Sequence, residues 1–146
     1  MLCLVPTPIG NLEDISQRSL RILVEAELIF CEDTRVTKKL LNLLGERNNL
    51  DFSNKEYKSF HSHNEDKILK SLDKETFSKN VVYVSDAGMP CVSDPGATLV
   101  DYCIKNEIPY DVLPGANAIL TAYAMSGFSH TTFSFYGFLD HKGASR

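Results

Sequence analysis

Apolar and polar positions follow two alternating periods along this chain. Short apolar runs at residues 2–5 (Leu-Cys-Leu-Val), 28–31 (Leu-Ile-Phe-Cys) and 81–84 (Val-Val-Tyr-Val) are the kind that make strands buried on both faces. Helical spacing separates them. Asp14 or Ser16 opens an amphipathic helix with Ile15, Leu20, Leu23 and Val24 on its apolar side, and residues 34–44 predict a second helix stopped by Gly45 and followed by a polar loop over 46–55. Residues 57–60 predict a third strand, with Asn64 capping a helix that carries Ile68, Leu69 and Leu72. Beyond the run at 81–84, a helix over 96–105, a strand over 110–113 and a helix over 116–125 complete the pattern. Strands alternating with helices of this length imply βαβ units: an α/β fold with an open, mostly parallel five-stranded sheet and flanking helices.

After Gly127 the character changes. Residues 131–139 (Thr-Thr-Phe-Ser-Phe-Tyr-Gly-Phe-Leu) alternate aromatic with small residues and predict a long strand. So much aromatic surface needs a partner, either as an edge of the same sheet or as the first strand of a second domain. The expected organisation is an N-terminal α/β domain over 1–127, with 128–146 the opening strand of a second domain otherwise absent from this chain.

The candidate chemistry gathers where the strands end. Val84-Ser85-Asp86-Ala87-Gly88-Met89-Pro90-Cys91-Val92-Ser93-Asp94-Pro95-Gly96 joins a β-branched strand to a helix through two Asp-containing turns. In open α/β sheets, ligands sit beyond the carboxyl ends of the strands, where this loop must lie. The same residues are also ordinary turn formers, chosen for local geometry alone.

Composition narrows the frame. The chain has 146 residues, 43% hydrophobic and 23% charged, which suits one globular domain rather than a disordered segment. No apolar stretch approaches the ~20 residues needed to cross a bilayer. Residues 1–5 lack a basic leader and a full apolar core, so a cytoplasmic protein is expected. Cys3, Cys31, Cys91 and Cys103 are widely spaced and form no C-x-x-C pair, which predicts buried thiols rather than a metal site or disulfides. A net charge of −4 leaves any nucleic-acid contact to a local basic patch. Arg35, Lys38 and Lys39 provide one at i, i+3 and i+4 on the second helix, with Arg18 and Arg21 spaced by three on the first. A solvated helix face is the alternative for each.

Val5-Pro6-Thr7-Pro8-Ile9-Gly10-Asn11-Leu12-Glu13-Asp14-Ile15, Cys31-Glu32-Asp33-Thr34-Arg35, His61-Ser62-His63-Asn64-Glu65, Ser85-Asp86-Ala87-Gly88-Met89-Pro90, Ser93-Asp94-Pro95-Gly96 and Leu113-Pro114-Gly115 stand in order along nearly the whole chain. Together they resemble the bacterial small-subunit ribosomal RNA 2′-O-ribose cytidine methyltransferases of the tetrapyrrole methylase superfamily. The resemblance implies the first domain of the tetrapyrrole methylase fold, with S-adenosylmethionine as methyl donor and a ribose 2′-hydroxyl of a small-subunit cytidine as acceptor. It also implies two α/β domains with the cofactor between them, and a homodimer.

That cofactor brings a sulfonium, an ammonium, a carboxylate and a ribose diol, so its site needs acceptors near the cations and N–H donors for the carboxylate. Asp86 is the acceptor at the strand end, Gly88 and Met89 allow close backbone approach, and Asn117 and Ala118 lie in a helix's first turn. By resemblance these hold the cofactor, with Pro8 lining the same crevice and Ser93 and Asp94 forming its second wall. Met89 and Cys91 stand where relatives often carry smaller residues. His61, His63 and Glu32, at or just after strand ends, are candidate proton acceptors, although Glu32 and Asp33 also serve as acidic caps of a helix and His63 as the approach to Asn64. Two other classes stay open: a small-molecule tetrapyrrole methylase, whose typical Gly-Asp-Pro turn is replaced here by Ser85-Asp86-Ala87-Gly88, and a non-catalytic domain fragment.

Overall fold

The computed structural model describes residues 1–138. Its five strands, β1 (Leu2–Leu4), β2 (Leu28–Cys31), β3 (Glu56–Ser59), β4 (Val81–Val84) and β5 (Tyr110–Val112), form one sheet in the order β3-β2-β4-β1-β5. All four pairings are parallel, with Leu2 and Leu28 both beside Val81. Residue pattern and position agree. The three continuous apolar runs are the three central strands, wholly buried, while the more polar β3 and β5 sit at the edges with partly exposed side chains.

Alternate residues of the central strands supply two apolar layers. Cys3, Val5, Ile29, Cys31, Val82 and Val84 face α1 (Gln17–Glu25) and α2 (Thr34–Asn48), which contribute Leu20, Leu23, Leu41 and Leu44. On the other face Leu2, Leu4, Leu28, Phe30, Val81 and Tyr83 pack with Phe60, Phe77, Leu99 and Cys103, beneath α3 (Glu65–Ser71) and α4 (Ala97–Lys105). Phe60 joins this layer edge-on to both Phe30 and Tyr83, with ring centroids 6.0 and 5.8 Å apart. β1 therefore sends its chain to one face and its neighbour β4 to the other. Such a switch point, at the carboxyl ends of the strands, is where open sheets of this kind bind ligands.

Several boundaries differ from those the sequence suggests. α1 takes Ser16 of the two expected starts, its hydroxyl accepting from the Ser19 N–H, and Asp14 instead ends a 3-10 turn at Leu12–Asp14. α2 does not stop at Gly45; it runs to Asn48 and closes on Asn49 in the left-handed region. Gly45 is a packing glycine, because a Cβ there would stand 2.8 Å from the Leu50 carbonyl oxygen and 3.4 Å from Phe52. Gly45→Ala is expected to destabilise the protein by about 1–2 kcal/mol, since the clash outweighs a helix-propensity gain of at most ~1 kcal/mol. A lowered midpoint in a circular-dichroism melt checks it.

Asn64 does not cap α3 through its side chain. Its Oδ1 accepts from the His61 N–H at 2.8 Å and its Nδ2 donates to the Ser59 carbonyl at 3.0 Å, which ties the β3 loop to its own strand. The strand expected at 131–139 is absent over residues 131–138, and Leu139 lies outside the described residues. A strand needs a hydrogen-bonding neighbour, and residues 131–138 pair with neither edge strand, β3 or β5. Phe133 instead stacks on Tyr123 of α5 (Ala118–Met125) at 4.7 Å. Residues 139–146 of the expected second part lie outside the described residues. Cys3, Cys31 and Cys103 are buried free thiols and Cys91 is half-buried. Among the described residues no helix is long and apolar enough to cross a membrane, and no His/Cys/Asp/Glu group has the arrangement of a metal site.

Candidate functional site

The loops after β1, β4 and β5 converge at the carboxyl rim. Thr7 and Gly88 form a two-way antiparallel bridge, each N–H donating to the other's carbonyl at 3.0 Å, and the Gly88 N–H also reaches the Thr7 hydroxyl at 3.1 Å. This bridge fixes the mouth of a cleft of about 290 Å³ lined by Ile9, Ala87, Gly88, Met89, Val92, Ser93, Asp94, Asn117, Ala118, Ile119, Phe135 and Phe138. One side is apolar and the other offers donors. The Asn117 side chain caps α5 by accepting from the Leu120 N–H at 3.0 Å, and the Asn117 carbonyl takes the Thr121 N–H. The N–H groups of Ala118 and Ile119 thus have no partner within the helix, and both residues line the cleft.

A second cavity of about 430 Å³ shares the Ser93-Asp94 wall and is otherwise lined by Glu32, Ser62, Glu65, Pro95, Gly96, Ala97 and Thr98. It is acidic. Burial, then the charges of Asp86 and Asp94, push the Glu32 carboxyl above its usual range. Burial also raises the Asp94 carboxyl, opposed by hydrogen bonding from Ser85 and reinforced by the Asp86 charge.

Of the residues expected to hold a cofactor, Gly88, Met89, Ser93, Asp94, Asn117 and Ala118 meet around the first cleft. Pro8 is half-buried on the same rim, next to the cleft residue Ile9. Asp86 is turned aside from that lining: its Oδ1 accepts from the Asp33 N–H at 3.1 Å and so ties the loops after β2 and β4 together. Glu32 lines the second cavity, and His61 and His63 flank its Ser62. His61 Nδ1 accepts from the His63 N–H at 3.2 Å. Ile9, Ala87, Val92, Ile119, Phe135 and Phe138 were not foreseen. An isoleucine amid the prolines and glycine of the first loop was the available signal for Ile9. The two phenylalanines lie in the segment whose alternation predicts a strand.

The basic patch is partly engaged within the chain. Lys38 lies 5.0 Å over the Tyr57 ring. The Arg35 guanidinium pairs with Asp33 at 2.6 Å while its side chain stays 89% exposed. Those contacts, led by the guanidinium hydrogen bonds, hold the Asp33 carboxyl down at about 2. Because this pKa is depressed, the stabilisation is present above the ordinary Asp value near ~4 and is lost as pH falls toward 2. A carboxyl NMR titration is expected to place the Asp33 midpoint near 2, moving back toward the ordinary value in Arg35→Gln.

The profile of the Tetrapyrrole (Corrin/Porphyrin) Methylases matches residues 1–143. The chain belongs to this family. Two curated relatives carry the name Ribosomal RNA small subunit methyltransferase I: one from Campylobacter fetus, 50% identical over all of this chain and 54% of its own length, and one from Helicobacter pylori strain J99, 46% identical over all of this chain and 53% of its own. A third of that name, from Thermotoga maritima, is 46% identical over 94% of this chain and 60% of its own length. The chain spans about half the length of the first two. Among solved structures, Uroporphyrin III C-methyl transferase from Thermus thermophilus superposes with a TM-score of 0.58 over 84% of this chain and 51% of its own, at 19% identity. That likeness concerns the methylase fold, here its N-terminal α/β domain.

Proposed function

We propose that this tetrapyrrole methylase domain serves an S-adenosylmethionine-dependent transfer of a methyl group to the ribose 2′-hydroxyl of a cytidine in small-subunit ribosomal RNA. The printed names of its relatives support the acceptor class. The observation that carries the reading is the pairing of the two cavities across Ser93 and Asp94, one suited to a donor and the other to an acceptor. The first offers apolar side chains for an adenine, the unpaired N–H groups of Ala118 and Ile119 for a carboxylate, and Asp94 for a cation. That donor set fits S-adenosylmethionine, which supplies an electrophilic methyl group when bound. About 290 Å³ is at the small end for a ligand of that size, as suits one wall of a two-domain site.

This chain's part in the reaction is placement. Holding the acceptor oxygen in line behind the methyl lowers the barrier without further chemistry. The hydroxyl proton goes to Glu32, His61 or His63, with Glu32 favoured because its raised pKa brings it closer to a working base. Asp86 acts by fixing the loops around the cleft. Residues 128–146 belong to the start of a second domain that closes the far side, in a cytoplasmic homodimer working on ribosomal particles.

Arg35, Lys38 and Lys39 take phosphate contacts. Replacing all three with Gln is expected to flatten the salt dependence of RNA binding by about two to three units of log–log slope. Cofactor affinity stays unchanged; equal slopes in variant and parent would return the patch to a solvated face. The reaction class is tested with labelled S-adenosylmethionine and the full-length gene product, offered either small-subunit particles or uroporphyrinogen. Label is expected in the RNA. Transfer to the tetrapyrrole alone would replace this reading with the small-molecule one.

A further inference from the structure

Thr7 and Ser85 are polar residues each 1% exposed, and both hydroxyls serve the same stretch of chain. That stretch is the turn leaving β4. In an ordinary four-residue turn the first carbonyl accepts from the fourth N–H, which here would join Ser85 to Gly88. The two make no such bond. The Thr7 hydroxyl stands in for it, accepting from the Gly88 N–H at 3.1 Å and donating to the Ser85 carbonyl at 3.3 Å, so a side chain from the β1 loop spans both ends of the turn. The Ser85 hydroxyl completes the set by donating to the Gly88 carbonyl at 3.4 Å.

The prop is braced from behind. Val5 continues the ladder from β1 to β4, its N–H donating to the Tyr83 carbonyl at 2.9 Å, and Pro6 has no N–H with which to extend it. Pro6 is instead pressed onto the loop after β5, where a Cβ on Gly115 would stand 2.6 Å from the Pro6 Cβ. The β1 loop therefore cannot draw back from the turn. In front, the turn carries Ala87, Gly88 and Met89 into the cleft lining, and its Asp86 carboxylate reaches the Asp33 N–H. With the Thr7 hydroxyl removed, the Ser85 carbonyl loses that partner, and closing the turn onto the Gly88 N–H is the local way to recover one. Closure moves the peptides of the cleft wall.

Resting on the proposed use of S-adenosylmethionine, we propose that Thr7 is a positioning residue of the donor cleft: its hydroxyl props the turn at Asp86 open and so holds Ala87, Gly88 and Met89 where the cofactor is bound. Thr7 touches no reacting atom. Its effect falls on cofactor affinity, with the transfer step itself left to the groups around the acceptor.

The test compares Thr7→Val and Thr7→Ser with the parent in the full-length gene product. Thr7→Val keeps the shape without the hydroxyl and is expected to raise the dissociation constant of S-adenosylmethionine about tenfold, whereas Thr7→Ser holds it within about threefold of the parent. At saturating cofactor, kcat and the KM for the acceptor stay near the parent's. The amide signals of Gly88 and Asp33 report the turn itself, and both are expected to shift in Thr7→Val and to keep their places in Thr7→Ser. A parental dissociation constant or unmoved amide signals in a folded Thr7→Val variant, or an equal loss of affinity in Thr7→Ser, overturns the positioning role alone. If Thr7→Val does not fold, Thr7→Ala against Thr7→Ser isolates the hydroxyl in the same way. A parent that binds no S-adenosylmethionine overturns the donor reading and the positioning role together. Methyl transfer to a tetrapyrrole instead of RNA, with Thr7→Val still weakened for the cofactor, changes the acceptor and keeps the prop.

Discussion

Gly96→Ala is expected to cost about 3 kcal/mol of stability and to lower the melting temperature by roughly 10 °C. Two independent penalties combine there. The backbone sits at φ +120°, where an L side chain is strained. The added Cβ would also meet Tyr83 Cε1 at 2.5 Å, Tyr83 Cδ1 at 3.0 Å and Cys91 Sγ at 3.1 Å. Tyr83 cannot yield, because it is wholly buried and locked edge-on against Phe60 at 5.8 Å. Thermal unfolding of the purified variant measures the loss. A melting temperature within two or three degrees of the parent would mean that the loop over Tyr83 relaxes freely and that the cavity floor is not rigid.

Ala118→Pro tests the donor cleft with little damage to the fold. Ala118 is the first residue of α5, where proline is accepted, and Asn117 before it is already extended at φ −146°, ψ 112°, as a residue preceding proline prefers. The substitution removes one of the two unpaired N–H groups facing the cleft and leaves the Asn117 cap in place. On the proposed reading the dissociation constant of S-adenosylmethionine rises about tenfold or more, the scale of a lost hydrogen bond to a carboxylate. Calorimetric titration of the folded variant reads it directly. An affinity equal to the parent's would remove the α5 terminus from the cofactor site.

Where a residue's environment is set by its neighbours in sequence, the fold was legible. Val81 to Val84 could be placed inside the sheet because four consecutive apolar residues have no exposed face to offer, whereas the edge position of Glu56–Ser59 comes from the structure alone. Gly45 shows the limit. Its helix continues because Leu50 and Phe52 return over it, a contact between segments that no local signal for a helix end records. Asn64 likewise looked like a cap and instead bonds back to Ser59 and His61.

The site followed the same division. Gly88, Met89, Ser93 and Asp94 could be assigned to a ligand loop from turn chemistry at a strand end, and Asn117 and Ala118 from a helix start. Asp86 lay within the same motif, yet the direction of its side chain depended on the Asp33 N–H across the rim. The acidic cavity needed the loops after β2, β3 and β4 to meet, so the grouping of Glu32, Glu65 and Asp94 could not be read from the linear sequence. Phe135 and Phe138 line the cleft instead of forming a strand, because alternation alone does not decide which surface an aromatic side chain covers.

The most direct measurement of the central claim is the position of the transferred methyl. Small-subunit particles methylated by the full-length gene product with labelled S-adenosylmethionine are digested with alkali, which cleaves after every free 2′-hydroxyl and leaves a 2′-O-methylated nucleotide joined to its neighbour. The account predicts label in an alkali-stable dinucleotide whose 5′ member is 2′-O-methylcytidine. Label released in mononucleotides, as a methyl on a base would be, contradicts it.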